Sequence, residues 1–253
     1  MSDSTPPRMP VRWLIDPPAD GPTNMARDEA ILTCVGSGGS PPTLRFYRWE
    51  PPTISLGYFQ EYCDFAALPP PAGALPVVRR ITGGGAILHD RELTYSLTVP
   101  VGHALMRAAG PNALYDLVHN AVAALLASRG ITVRKGPAGR GGCSHGGPFF
   151  CFERHSCFDL LAGECKLMGS AQRRAAGAVL QHGSLILEKR FEQQICAAIA
   201  DLAGLDIDAH LRELAESVFG ISVGDPGAYI PEERRLAEQL RDKYADSAWT
   251  RRR

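Results

Sequence analysis

The chain has 253 residues, 45% of them hydrophobic, with Lys+Arg and Asp+Glu balanced at 27 each. A core of useful size is therefore available, and a zero net charge argues against binding nucleic acid by bulk electrostatics. No run of about 18 apolar residues and no apolar leader is present, so no membrane span is expected. The seven cysteines, an odd number without a repeating spacing, suit reduced thiols in the cytoplasm.

Residues 1–10 are polar and Pro-containing and read as a flexible tail. "NMARDEAILTCV" (24–35) places Ile31, Cys34 and Val35 at helical spacing behind a capping Asn24, which predicts a helix. "TLRFYRWE" and "TISLGYFQ", separated by Pro51-Pro52, predict two strands. "VVRRITGGGAILHDRELTYSLTVP" (77–100) predicts a strand, a glycine loop and two short strands. "NALYDLVHNAVAALLASRG" (112–130) predicts a helix stopped at Gly130. Residues 135–148 read as a long mobile loop. The next stretch reads as paired strands around an Ala162-Gly163 turn, with Lys166 facing Cys151 across it. "VLQHGSLIL" (179–187) is a further strand. Helices are expected at about 190–203, 208–218 and 231–246, the last opening at Pro231. The pattern implies one mixed α/β domain over residues 11–250, with helices gathered towards its C-terminal part.

Two clusters carry chemistry. In "RRITGGGAILHD" (79–90), three glycines expose backbone N–H groups, and Arg79 and Arg80 add donors for a carboxylate or phosphate. The segment matches neither a Walker loop nor a dinucleotide fingerprint, so a ligand cradle and a plain glycine hairpin both stay open. The second is "CFERHSCFDLLAGECKLMGSAQ" (151–172); with Cys143 and His145 just before it, Cys151, His155 and Cys157 lack the usual paired spacing of structural zinc. A disulfide does not suit a reducing compartment. Cys34 and Cys196 read as small hydrophobes on helical faces. A thiolate is the sharper alternative: Lys166 is the sole lysine between Lys135 and Lys189, and a nearby ammonium favours the anionic sulfur. His89, His155 and His182 are each candidate bases, with a hydrogen-bonded structural histidine as the plainer reading of each.

Taken together, "NMARDEAIL", "PTLRFYRWEPPTISLGYFQ", "RRITGGGAILHD", "KLMGSAQRR", "LQHGSLIL" and "YADSAW" resemble the lipoate–protein ligase and octanoyltransferase superfamily, related to biotin–protein ligase. The resemblance implies a mixed, largely antiparallel sheet flanked by helices, with no accessory C-terminal domain. Cys151-Phe152 fifteen residues before Lys166, and "HDRELTYS" (89–96), look like the cysteine-dependent octanoyltransferases rather than the ATP-dependent ligases. By that resemblance Cys151 is the nucleophile and Lys166 the residue that lowers its pKa, while Cys157 is a decoy. Arg80, Gly83, Gly84, Gly85, Ala86, His89, Gly169, Ser170 and Ala171 are the implied substrate-binding residues. Two departures stand out: some such transferases carry arginine where Gly85 stands, and "ERHS" (153–156) replaces a more usual Pro-Ser sequence.

The implied reaction moves octanoyl from octanoyl-acyl carrier protein through a cysteine thioester to a lysine of a lipoyl carrier domain. That carrier is the glycine-cleavage H protein or a dehydrogenase E2 subunit. No metal or cofactor is expected. The backbone N–H groups of "GGGA" (83–86) and "GSA" (169–171) are expected to join Lys166 at the oxyanion, and Arg79, Arg80, Arg173 and Arg174 to meet acidic carrier proteins. The alternatives are an ATP-dependent lipoate ligase, an amidotransferase between two lipoyl carriers, and a non-catalytic metal-bearing module.

Overall fold

Strand β6 (Glu92–Pro100) organises the architecture because its alternation has two buried sides. Leu93, Tyr95, Leu97 and Val99 enter a large apolar core. Thr94, Ser96 and Thr98 are equally buried on the opposite face, where hydroxyls need partners. The two faces are covered by different helices. The computed structural model describes residues 11–107, 112–137, 148–190, 194–202 and 204–253. The expected tail at 1–10 and most of the 135–148 loop, including Cys143 and His145, lie outside the described residues.

The main sheet has seven strands in the order β1-β2-β6-β10-β9-β8-β7. These are β1 (Arg12–Ile15), β2 (Thr43–Tyr47), β6, β10 (Ala178–Ile186), β9 (Cys165–Ala175), β8 (Leu160–Ala162) and β7 (Arg134–Lys135). The β1–β2 pair is parallel and the remaining pairs are antiparallel. A smaller sheet, ordered β4-β3-β5, joins β3 (Thr53–Leu56), β4 (Val77–Arg79) and β5 (Ile87–His89). The expected mixed, largely antiparallel sheet with flanking helices is what forms. Strand β6, read as short, runs for nine residues because both of its faces are buried.

On the apolar face of β6 lie α4 (Ala113–Ser128) and α6 (Leu211–Phe219). Leu114, Val118, Val122 and Leu125 of α4 and Leu214 and Val218 of α6 belong to the same core as Leu97 and Val99. On the other face, α1 (Gly21–Gly36) packs with α7 (Pro231–Ala245). Asn24 is not the cap of α1. Asp20 caps it by accepting from the Thr23 N–H at 2.8 Å. Asn24 lies inside the helix, where its amide donates to the carbonyls of Ala19 and Arg48 and accepts from Arg45. The capping signal therefore lies four residues earlier, ahead of Pro22 in the first turn.

The region expected to be helical from 190 to 203 forms only a short α5 (Ile199–Leu202), with residues 191–193 and 203 outside the described set. Cys196 is buried, as read, but on irregular backbone. The N–H of Ala197 next to it caps the Lys166 carbonyl at 2.9 Å, so this segment covers the end of β9. Pro231 opens α7 as expected. Among the described residues, no helix is long and apolar enough to cross a membrane.

Candidate functional site

The site forms where the small sheet, β9 and the 150–159 segment converge. Between β4 and β5 the chain passes through Gly83, Gly84 and Gly85, with Gly84 at φ +90°, a conformation that favours glycine. Arg80 lies beneath this loop and is 2% exposed. Its Nη2 donates to the carbonyls of Gly83 and Gly85, both at 2.7 Å, and its Nη1 donates to the Ser55 carbonyl at 2.8 Å. A trans peptide points its N–H opposite to its carbonyl. Pinning the Gly83 carbonyl onto Arg80 thus turns the Gly84 N–H away from it. Among the described residues, the N–H groups of Gly83, Gly84 and Gly85 donate to no backbone acceptor.

Cys151 does not sit on a strand facing Lys166. It opens a 3₁₀ turn, Cys151–Glu153, strapped to the glycine loop by its own N–H to the Ala86 carbonyl at 2.7 Å and by the Ala86 N–H to the Phe149 carbonyl at 3.0 Å. A Cβ at Gly85 would stand 3.0 Å from the Cys151 nitrogen, so the strap packs tightly here and glycine is the residue that fits without displacing it. The second of these bonds occupies the Ala86 N–H, which removes it from the expected oxyanion donors.

Lys166 comes from the second residue of β9 and is 3% exposed. Its Nζ lies 3.5 Å from Cys151 Sγ and 2.9 Å from Asp159 Oδ2. It also donates to the Cys151 and Arg154 carbonyls at 3.3 and 3.4 Å. A Cβ at residue 169 would fall 2.3 Å from Lys166 Cε and 2.6 Å from its Nζ. Glycine three residues on is thus what lets the lysine fold back along its own strand. Burial opposes the ammonium charge, but the Cys151 sulfur and the Asp159 carboxylate outweigh it and hold Lys166 above the usual lysine range. The lysine is a cation at neutral pH.

These groups open onto a cavity of about 610 Å³, within the range of small-molecule sites, about 300–1,000 Å³. Gly83, Gly84, Gly85, Cys151, Lys166, Ser170 and Ala171 line it together. Tyr115 and Phe158, stacked at 4.8 Å, supply an apolar wall. Cys157 and His155 line the same cavity, but among the described residues Cys151 is the cysteine that Lys166 reaches.

Arg80, Ala86, His89 and Gly169 do not line the cavity. His89 is buried and stacked on Trp49 at 3.8 Å, between Glu92 Oε1 and Ser55 Oγ, both at 2.8 Å. Burial, with Arg80 and His182 nearby, lowers its pKa despite Glu92. His182 bridges Asp28 Oδ2 at 3.1 Å and Thr82 Oγ1 at 2.6 Å. Both histidines hold the framework of the loop. Arg79 and Arg80 are too deeply buried to meet a carrier protein: Arg79 is 0% exposed and donates to the carbonyls of Thr250, Gly57 and Gln60. Among the described residues, no three His, Cys, Asp or Glu side chains form a metal-binding group.

Two residues were missed in the sequence. Asp159 has no motif to announce it; it precedes β8, whose Leu161 pairs with Lys166, and its carboxylate meets the lysine that folds back along β9. His119, read only as part of a helical pattern, is 1% exposed. It contacts the Phe158 carbonyl through Nδ1 and Ser170 Oγ through Nε2 at 2.7 Å. Tyr95 OH meets the same Ser170 oxygen at 2.7 Å. Burial pushes His119 down to about 4, so it is neutral at pH 7. The Nδ1 proton then goes to Phe158, and Nε2 accepts from Ser170.

Residues 20–194 match the model of the lipoyl protein ligase A/B catalytic domain. Octanoyltransferase LipM of Moorella thermoacetica is 36% identical, over 93% of this chain and 95% of that protein. The structure of protein Ta0514 from T. acidophilum superposes with a TM-score of 0.78 at 26% identity, covering 97% of this chain and 100% of the other. A bipartite lipoate protein ligase from Thermoplasma acidophilum, studied with its E2 lipoyl domain, gives a TM-score of 0.72 at 23% identity, covering 96% and 97%. At that identity the likeness speaks for the fold.

Proposed function

The chain belongs to the lipoyl protein ligase A/B catalytic-domain family and is an octanoyl-transferring acyltransferase of protein lipoylation; from that premise we propose that it works through a thioester on Cys151. Octanoyl-acyl carrier protein is the donor in this reading. The Cys151 sulfur attacks the donor's carbonyl carbon, the donor C–S bond breaks, and the carrier thiol leaves with a proton. The ε-amine of one lysine on a lipoyl carrier domain, of the dehydrogenase E2 or glycine-cleavage H type, then attacks the new thioester. The Cys151 C–S bond breaks, an amide forms, and the amine's proton departs. Thioester to amide is downhill, so the transfer needs no ATP.

The observation that carries this reading is the Lys166 ammonium, buried, cationic and 3.5 Å from Cys151 Sγ at the wall of a ligand-sized cavity. A cation there stabilises the sulfur's negative charge before attack and as it leaves. Asp159 holds the lysine from behind and keeps its three donors aimed. The N–H of Gly84, on a loop that Arg80 has already ordered, is the backbone donor assigned to the oxyanion in this reading. Burying the alkyl tail against Tyr115 and Phe158 contributes about 4–5 kcal/mol at about 0.8 kcal/mol per CH₂.

Intact-mass spectrometry after incubation with octanoyl-acyl carrier protein, without ATP, tests it. The expected result is one octanoyl adduct, released by hydroxylamine, in the wild type and in Cys157→Ser but absent in Cys151→Ser. An adduct that survives in Cys151→Ser, or none in the wild type, overturns the thioester. In the second case ATP with free octanoate becomes the next pair to try.

A further inference from the structure

Exposed cations in this protein are mostly neutralised. Arg91, Arg129, Arg134, Arg212, Arg235 and Arg241 each meet a carboxylate. Among the described residues Arg174 and Arg234 also form no ion pair, but a further four such cations gather in one place. Among the described residues, Arg173, Arg251, Arg252 and Arg253 form no ion pair and rest on aromatic rings instead.

Tyr58 links them. The guanidinium carbons of Arg173 and Arg252 lie 5.2 and 4.6 Å from its ring centroid. Arg252 is also 4.6 Å from the Trp249 centroid, Arg253 is 5.4 Å from Phe59 and Arg251 is 5.0 Å from Tyr62. The segment is tied down rather than trailing: the Tyr62 N–H donates to the Arg253 carbonyl and the Arg251 N–H to the Ser247 carbonyl, both at 2.8 Å. Beneath it Arg79 is met by carbonyls, and burial together with Arg252 and Arg253 lowers its pKa despite Glu61. Four guanidinium groups therefore gather on one surface, with Glu61 an acid close enough to act on the Arg79 beneath it. Strand alternation sends Arg174 to the opposite face of β9 from Arg173, so it takes no part.

The place of this group matters. Phe59 is 57% exposed, and its ring lies 3.9 Å from where a Cβ on Gly83 would stand. Arg173 follows Ala171 and Gln172, which line the cavity. The basic, aromatic surface thus begins at the cavity rim. Arginine beside exposed aromatic rings is the composition of binding hot spots.

We propose that Arg173, Arg251, Arg252 and Arg253, with Tyr58 and Phe59, dock an acidic protein domain that presents the acceptor lysine. This rests on the acyl-transfer reading above. The acceptor rather than the donor is favoured by reach. A lysine side chain extends about 6 Å from its Cα, so its domain must sit against the rim to bring the amine to Cys151. A donor carrying its thioester on a long arm has no such constraint.

The test separates the two half-reactions. Wild type, Arg252→Glu/Arg253→Glu and the single variant Arg253→Ala are first loaded with a small octanoyl thioester, then mixed with an E2 lipoyl domain. Loading is expected to stay within about twofold. Transfer kcat/KM is expected to fall by about tenfold or more in the double variant, mainly through KM, and less in the single one. Raising salt should slow transfer in the wild type and leave the double variant nearly unchanged. Arg212→Glu, on a paired arginine, serves as the control. Equal transfer by all variants overturns the proposal. So does a defect confined to loading from octanoyl-acyl carrier protein, which assigns the surface to the donor. If wild type forms no octanoyl-enzyme with any donor, the acyl-transfer reading fails instead. Calorimetric binding of the lipoyl domain then still decides the surface: weaker binding by the double variant upholds it, and equal binding overturns it.

Discussion

On the buried face of α1, Asp28 is surrounded by donors: Arg45 and Ser96 reach its Oδ1, and Tyr47 and His182 reach its Oδ2. All four accepting positions of the carboxylate are used, and these donors hold its pKa down against the burial that would raise it. Lys166 is buried to a similar depth and paired with Asp159, yet its ammonium also faces a sulfur and an open cavity. The two clusters have similar ingredients and differ in closure. Where every position is taken, buried charge serves the framework; where a cation keeps one direction towards a cavity, it is available for chemistry. The two are linked, since His182 passes from Asp28 to Thr82, which accepts from Arg80 under the glycine loop.

Breaking the open cluster should have the largest effect. Lys166→Ala is expected to slow acyl transfer by about 10³-fold or more, in line with loss of a preorganised charge at the reacting atoms. It also strands Asp159, at a cost of about 3–5 kcal/mol. The pair Lys166→Met/Asp159→Asn should recover much of that stability without recovering rate. Urea denaturation beside single-turnover transfer reads both. Recovery of rate along with stability would make the lysine a structural group.

Breaking the closed cluster should act in the opposite way. Asp28→Asn is expected to cost about 3–5 kcal/mol, because Arg45, fully buried, keeps only Asp16 as a carboxylate partner. Transfer per folded molecule should stay within about twofold. A larger rate loss in fully folded protein would mean that the path through His182 and Thr82 positions the glycine loop.

The smallest effect belongs to His119. Its folded pKa, about 4, lies below the ordinary histidine value of about 6.5. The unfolded chain therefore binds this proton first, and the stability it confers is full above about pH 6.5 and is lost as pH falls towards 4. Between pH 7 and 5 the loss is roughly 2 kcal/mol. Denaturation at the two pH values should show that difference shrinking in His119→Asn. An unchanged difference would show that His119 is not the group responsible.

Much of the fold was legible because it repeats locally. The core faces of α1 and α4, the length of β10 and the opening of α7 follow from spacing and end signals within one segment. The 190–203 stretch was read as a helix because its composition allows one. Covering the end of β9, through the Ala197 N–H on Lys166, won over local propensity. Arg79 and Arg80 were read as ligand donors because a sequence shows charge and not depth. The glycine loop's unpaired carbonyls, together with Gly57 and Gln60, claim their guanidinium groups.

By itself the sequence determined most of the elements and the family resemblance, and through that resemblance it pointed to Cys151 and Lys166, since each of these is written in residues close together along the chain. The tertiary structure alone decided which groups meet: Asp159 behind Lys166, His119 behind Ser170, and Arg252 beside Arg173 on one tyrosine. Those contacts join residues from separate elements, and backbone pairing and burial, not spacing, bring them within reach.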